Sequence, residues 1–267
     1  MDSKNTFLTT PKAVIIGSIV ISVAILIAGG IIKIGPKNTA TNTPTPSPQA
    51  QQAPRQPSVT LDQVKKAFSS SAIKFGDTNK KLIVLEISDP SCPYCSIATG
   101  KNPELNKEAG DRFKLVADGG TYVAPVSEIE KLVKNGTASF AWIYTPGHGN
   151  GEMGTKAFYC AFEAGKFWEV HNLLMSAKGY DLMNNTIKND KTKSGEMANF
   201  LSSVADSVAM KSCLESGKYD SRLKDDVALA TSLGISGTPG FLINATPFTG
   251  AYSYKDMESA VKTALGQ

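Results

Sequence analysis

Leu82-Ile83-Val84-Leu85-Glu86-Ile87-Ser88-Asp89-Pro90-Ser91-Cys92-Pro93-Tyr94-Cys95 is the stretch from which the rest of the chain is read. The run from Leu82 to Ile87 is apolar and has the length of a strand, and Cys92-Pro93-Tyr94-Cys95 then opens a helix. Proline at the first helical position loses nothing, because that N–H has no intrahelical partner. Cys92 therefore stands at or just before the first turn, where the helix dipole and unpaired N–H groups stabilise a thiolate. Cys95 follows one turn later, close enough to attack a mixed disulfide formed on Cys92. This spacing makes Cys92 the nucleophile and Cys95 the resolving thiol of a redox-active pair.

Half of a zinc site is a rival reading of two such cysteines. Zinc takes four ligands, normally from two close pairs or from one pair plus histidines at short spacing. Here the other cysteines, Cys160 and Cys213, lie far apart in the chain and only His148 and His171 exist. No metal is expected. A static structural disulfide is the second bland alternative. Glu86 interrupts the apolar run six residues before Cys92, on the strand face of Val84 and Ser88. A carboxyl there is costly unless it has a task or a partner; the alternative is an edge strand that leaves it in water.

The length of 267 residues, 41% of them hydrophobic, suits one globular domain plus accessory segments. Five basic residues against one acidic residue precede Ser58, whereas the remainder holds equal numbers of each. The folded part is thus neutral, which argues against nucleic acid as a partner. Ala13 to Ile32 is an uncharged apolar run flanked by Lys12 and Lys33. At about 1.5 Å per residue it crosses the roughly 30 Å core of a bilayer. A cleaved signal peptide is the rival, although its apolar region is usually about 7–15 residues. The expected organisation is a cytoplasmic tail over 1–12, a transmembrane anchor over 13–34, a Pro/Thr-rich disordered linker over 35–58 and one domain over 59–267. Lysines flank the span on both sides, so the external placement of the domain rests on its chemistry.

Within the domain, Val59 to Ser71 has helical spacing with Thr60 as N-cap, and Gly76-Asp77 marks a turn before the strand at Leu82. Ser96 to Ala109 continues the cysteine helix, bent or broken at Gly100 and Pro103. Phe113 to Ala117 reads as a short strand, Ser127 to Val133 as a helix and Ala138 to Tyr144 as a strand. From Gly154 to about Leu233 the pattern is helical in several pieces. Phe241–Asn244 and Pro247–Gly250 form a hairpin, and Lys255 to Leu265 a closing helix. The implied fold is an α/β sheet with a helical insertion on one edge.

Three segments together resemble a known family. They are Glu86-Ile87-Ser88-Asp89-Pro90-Ser91-Cys92-Pro93-Tyr94-Cys95, Gly165-Lys166-Phe167-Trp168-Glu169-Val170-His171 and Gly237-Thr238-Pro239-Gly240-Phe241-Leu242-Ile243-Asn244. Their order and spacing are similar to those of the DsbA-like thiol-disulfide oxidoreductases of the thioredoxin superfamily. The resemblance implies a thioredoxin fold with a helical domain inserted before the last two strands, over about 154–233. It implies that Glu86 moves protons to and from Cys95, and that Thr238-Pro239 is a cis-proline loop. Beside Cys92, that loop would offer its backbone to an extended substrate, together with Pro93 and Tyr94, as in strand addition. The stretch from Gly110 to Gly136 is longer than the family pattern. Pro93-Tyr94 lacks the histidine of the family's strongest oxidant, which leaves the direction of electron flow open.

Cys160 and Cys213 lie in the helical block, where a structural disulfide, two buried free thiols or a second electron relay are the readings. Gly149-Asn150-Gly151-Glu152-Met153-Gly154 matches a dinucleotide-binding pattern, but Trp168 to Leu174 is helical where a second strand is required. His171 reads as a packed helical residue, and His148 is carried on the glycine loop. Three glycosylation sequons, at Asn135, Asn184 and Asn244, are weak signals.

The expected protein is a monomeric, membrane-tethered, extracytoplasmic oxidoreductase that forms disulfides in reduced exported proteins. Its chemistry needs no cofactor beyond the Cys92–Cys95 disulfide, and the resemblance implies reoxidation by a quinone-linked membrane thiol oxidase. A reductase or isomerase on the same fold is the alternative. A tethered binding module with purely structural cysteines is the reading of another class.

Overall fold

A computed structural model of the chain describes residues 59–267. The tail, anchor and linker expected over 1–58 lie outside the described residues. Among the described residues no helix is long and apolar enough to cross a membrane.

Leu82–Ser88 is the second strand, β2, and it lies at the centre of a five-stranded sheet. The others are β1 (Ile73–Phe75), β3 (Ala138–Tyr144), β4 (Gly240–Ile243) and β5 (Thr246–Thr249), in the order β1-β3-β2-β4-β5. β2 runs parallel to β3 and antiparallel to β4, so both of its edges are paired. Both faces of β2 are covered, which is why it reads as an unbroken apolar run. Leu82, Val84 and Glu86 alternate with Ile83, Leu85 and Ile87, and the two sets enter different layers. Ile83, Leu85 and Ile87 pack with Val64 and Phe68 of α1 (Leu61–Ser70) and with Ala230 of α10 (Asp220–Ser232). Leu82 and Val84 share a larger core with residues of α2 (Pro93–Thr99), α4 (Pro125–Lys134) and α11 (Tyr254–Leu265).

Between β3 and β4 the chain makes the helical insertion. It comprises α5 (Glu152–Glu163), α6 (Phe167–Leu174), α7 (Ala177–Asp181), α8 (Ser194–Phe200), α9 (Ser207–Glu215) and the α10 helix that returns to the sheet. An aromatic cluster fastens it to the sheet. Phe158 of α5 meets Trp142 of β3 edge-on at 5.2 Å between ring centroids, and Phe140 lies beside Trp168 at 5.2 Å. His171 is buried within this cluster against Phe158 and Phe167, as a packed helical histidine. Burial pushes its imidazole down to about 4, so the ring is neutral at pH 7. Cys160 of α5 is disulfide-bonded to Cys213 of α9, joining the ends of a long loop.

Several local expectations change in three dimensions. Ile73–Phe75 is an additional strand, too short for its alternation to register in the sequence, and it is held by antiparallel pairing to β3. The break expected at Gly100 and Pro103 is present: Gly100 adopts φ 67° and ends α2, and Asn102 then caps α3 (Pro103–Glu108) with Pro103 at its first turn. Phe113–Ala117 is not a sheet strand. Phe113 closes one 3-10 turn, Asp111–Phe113, and Val116 and Ala117 open another, Val116–Asp118; between them Leu115 forms only an isolated bridge to Tyr122, because Gly119-Gly120 turns the chain back and the Tyr122 N–H donates to the Lys114 carbonyl. The edge-strand alternative for Glu86 fails, since β2 is central and Glu86 is fully buried. The glycine pattern at Gly149–Gly154 leads into α5, and the chain about twenty residues on is α6, so no βαβ unit surrounds it.

Candidate active site

The turn between β2 and α2 fixes the cysteine pair. Cys92 is the N-cap of α2 with Pro93 in the first turn; the Cys92 N–H donates to the Asp89 carbonyl at 2.9 Å. Cys92 is 5% exposed and Cys95 is fully buried, and both carry free thiols. Their titrations are driven apart. The Cys95 thiol, donating to the Cys92 sulfur, pulls Cys92 down to about 6 against the opposing effect of burial. Thr238 and the first-turn backbone of α2 act in the same direction. Burial pushes Cys95 far up, and the neighbouring Cys92 sulfur adds to it. One sulfur is therefore a poised thiolate and the other is held protonated.

Thr238 and Pro239 reach this site from the start of β4, with Thr238 lying 146 positions beyond Cys92 in the chain. The Thr238–Pro239 peptide is cis, and the Cys92 sulfur lies 3.6 Å from the Thr238 carbonyl oxygen. Pro93 is half-buried, while Tyr94 is 49% exposed and rests against Phe113 at 5.7 Å between ring centroids. The long segment after α3 thus folds back beside the cysteine motif.

Glu86 projects from the centre of β2, in register with Trp142 on one side and Phe241 on the other. Neither carboxyl oxygen has a hydrogen-bond partner. Burial pushes the Glu86 carboxyl up to about 8, with the nearby Ser88 hydroxyl acting the other way. Burial wins because a lone carboxylate in such a layer has nothing to offset its lost hydration. Glu86 is consequently a protonated acid at pH 7, on the sheet face that supports α2.

Residues without an expected role complete the surroundings. Asp89 is fully buried, and its carboxylate accepts from the Ser91 N–H and hydroxyl and from the Gly147 and His148 N–H groups. The amide of Asn184 donates to the Ser91 carbonyl. Asp89 stands inside the opening motif, but a charged residue in a loop sequence carries no sign that it will be buried. His148 is placed near the cysteines by its backbone, and its residue is exposed. Of the sequon asparagines, Asn184 and Asn244 use their side-chain amides in internal hydrogen bonds. Among the described residues no three His, Cys, Asp or Glu side chains converge as metal ligands do.

The sheet order, the cysteine turn and the Thr238-Pro239 loop beside it are accompanied by sequence likeness. The profile of the family described as Thioredoxin matches residues 124–263, just over half of the chain. The chain belongs to the thioredoxin family. The matched range holds Cys160, Cys213, Thr238 and Pro239, whereas Glu86, Cys92 and Cys95 precede it. A putative protein-disulfide oxidoreductase of Rickettsia conorii is 21% identical over 87% of this chain and 74% of its own length. The Na(+)/H(+) antiporter NhaA 3 of Salinispora tropica is 23% identical over 71% of this chain, and the chain spans only 24% of that protein. Among solved structures, alpha-DsbA1 of Wolbachia pipientis superposes with a TM-score of 0.51 at 18% identity, covering 72% of this chain and 90% of that one. At such identity the likeness speaks for the fold.

Proposed function

We propose that this thioredoxin-family protein is a protein thiol-disulfide oxidoreductase, tethered to the membrane by residues 13–34, with its catalytic domain outside the cytoplasm. It works as a dithiol oxidase on reduced exported proteins. The observation that carries this reading is the placing of two free sulfurs one turn apart, Cys92 at the N-cap of α2 and 3.6 Å from the Thr238 carbonyl and Cys95 fully buried behind it, an arrangement that lowers the first thiol and raises the second.

In the oxidised enzyme Cys92 and Cys95 form a disulfide. A substrate thiolate attacks the Cys92 sulfur, forming a mixed disulfide and releasing Cys95 as a thiolate. Buried Cys95 is a poor anion and takes a proton from Glu86, which is protonated at neutral pH. A second substrate thiolate then attacks the substrate sulfur of the mixed disulfide. Cys92 leaves as a thiolate, and two electrons have passed from substrate to enzyme. A leaving thiol of low pKa departs faster and stabilises the reduced enzyme, which favours oxidation of the substrate. Thr238 presents backbone beside Cys92, and pairing with an extended chain there tolerates many sequences. A membrane thiol oxidase of the quinone-linked kind would take the electrons from the reduced pair.

Oxidation of a reduced, unfolded test protein by the purified protein tests this directly. Cys92→Ala abolishes it; full activity in that variant overturns the reading. A redox titration against glutathione fixes the direction. A potential near thioredoxin's, about −270 mV, would assign the same site to disulfide reduction instead.

A further inference from the structure

Around Cys92 the loop from Pro146 to Gly151 comes unusually close. A Cβ on Gly147 would overlap Thr238 Oγ1 and stand 3.4 Å from Cys92 Cβ, and one on Gly151 would overlap Asp89 Oδ1. Glycine backbone is therefore packed directly on the cysteine and on the residue before Pro239. This loop has no strand partner at its tip. It is tied down through Asp89, which holds the Gly147 N–H at 2.7 Å and the His148 N–H at 2.9 Å with one oxygen. The other oxygen holds Ser91, next to Cys92, at 2.8 Å through its N–H and 2.7 Å through its hydroxyl. Ser91 Oγ in turn accepts from the Asn150 N–H at 3.2 Å. A buried carboxylate with four donors is fully engaged, and removing its acceptors would leave the buried Ser91 N–H unpaired and release the Gly147 and His148 N–H groups.

We propose that Asp89 is a positioning residue that holds the Gly147-His148 backbone as a wall beside Cys92 and Thr238, shaping the site for an extended polypeptide carrying a cysteine. This rests on the oxidoreductase reading and adds a residue to it. Asp89 touches neither sulfur through its carboxylate; it acts by fixing two backbone segments that do border the cysteine. A long substrate must fit against that wall, whereas a small reagent need reach only the sulfur. Displacing the wall by an ångström therefore penalises the polypeptide selectively.

The test uses Cys95→Ser protein, in which the Cys92 thiolate attacks a peptide cysteine disulfide-linked to thionitrobenzoate. A Cys92–peptide disulfide forms and the thionitrobenzoate anion that leaves is read by absorbance. Iodoacetamide, which alkylates Cys92 with loss of iodide, is the small reagent. Asp89→Asn keeps one acceptor oxygen but turns an amide NH2 toward donors. It should slow the peptide reaction about tenfold or more while changing alkylation by less than about threefold. Gly147→Ala should do the same from the loop side, because its added methyl overlaps Thr238 Oγ1 and displaces the loop. An unchanged peptide rate in both single variants, or peptide and iodoacetamide rates falling together, overturns the assignment. If the Cys95→Ser protein without further change exchanges with no peptide, the oxidoreductase reading itself fails, and this inference with it.

Discussion

The Cys92 sulfur lies 3.6 Å from the carbonyl oxygen of Thr238, a residue 146 positions further along the chain. One belongs to the turn after the central strand and the other to the entry of β4, the strand paired antiparallel to it. Their meeting follows from the sheet order, because β2 and β4 are neighbours and the C-terminal end of β2 lies beside the N-terminal end of β4. The Thr238 backbone and the Cys92 sulfur are thus brought together by strand pairing, and the chemistry proposed for the site can be tested on that basis.

The neighbouring Cys95 thiol pulls Cys92 down to about 6, below the ordinary thiol value. Iodoacetamide alkylation of the reduced protein should therefore rise through a midpoint about three pH units below that of a free thiol, and Cys95 should remain unmodified in the folded state. The folded pKa is depressed, so reduced protein gains stability as pH rises from about 6 toward 9 and loses it as pH falls back through 6. A midpoint near 9 for Cys92 would contradict the arrangement described.

Glu86 has the opposite sign. Its folded pKa is raised to about 8, so its contribution to stability is fully present below about 4.5 and is lost as pH rises through 8. Glu86→Gln should remove this loss. Urea unfolding at pH 5 and pH 9 should show a variant less sensitive to pH than the parent, by an amount on the order of 2–5 kcal/mol. The same variant should slow release of Cys95, seen as a slower first mixed-disulfide step.

Cys160 and Cys213 clamp α5 to α9 across a separation of 53 residues. Replacing both by alanine should cost about 2–4 kcal/mol, chiefly by freeing the unfolded chain. Thermal unfolding measures the loss. Oxidation of a test protein at a temperature well below the transition should persist, since neither sulfur belongs to the Cys92 site.

Phe158 joins the insertion to the sheet through Trp142, Phe167 and His171. Truncation to alanine should cost about 3–5 kcal/mol in denaturant unfolding, from lost burial and the cavity left among rigid rings. Phe158→Leu, which fills more of the space, should cost clearly less.

Much of the fold is legible in the sequence where the signal is local. The strands at Leu82 and Ala138, the hairpin after Pro239, the closing helix and the cap at Thr60 appear nearly where periodicity and capping residues put them. Ile73–Phe75 is not legible, because three residues carry no period and only the partner strand makes them β. Phe113–Ala117 misleads for the converse reason: its alternation suits a strand, but two glycines close it on itself before any sheet edge is reached. The roles of Asp89 and Gly147 are invisible in the sequence, since each depends on a segment nearly sixty residues away.

By itself the sequence determined that a dithiol opens a helix after an apolar strand, that a carboxyl interrupts that strand, and that two of the four cysteines stand three apart while the other two lie far along the chain. Those are matters of spacing, and spacing along a helix or strand is enough to decide them. Only the tertiary structure decided that Glu86 is central and fully desolvated, that Cys160 reaches Cys213, and that Thr238 and Gly147 border Cys92. These depend on strand order and on loops that cross between elements, where the free energy is set by burial and by hydrogen bonds between residues remote in the chain.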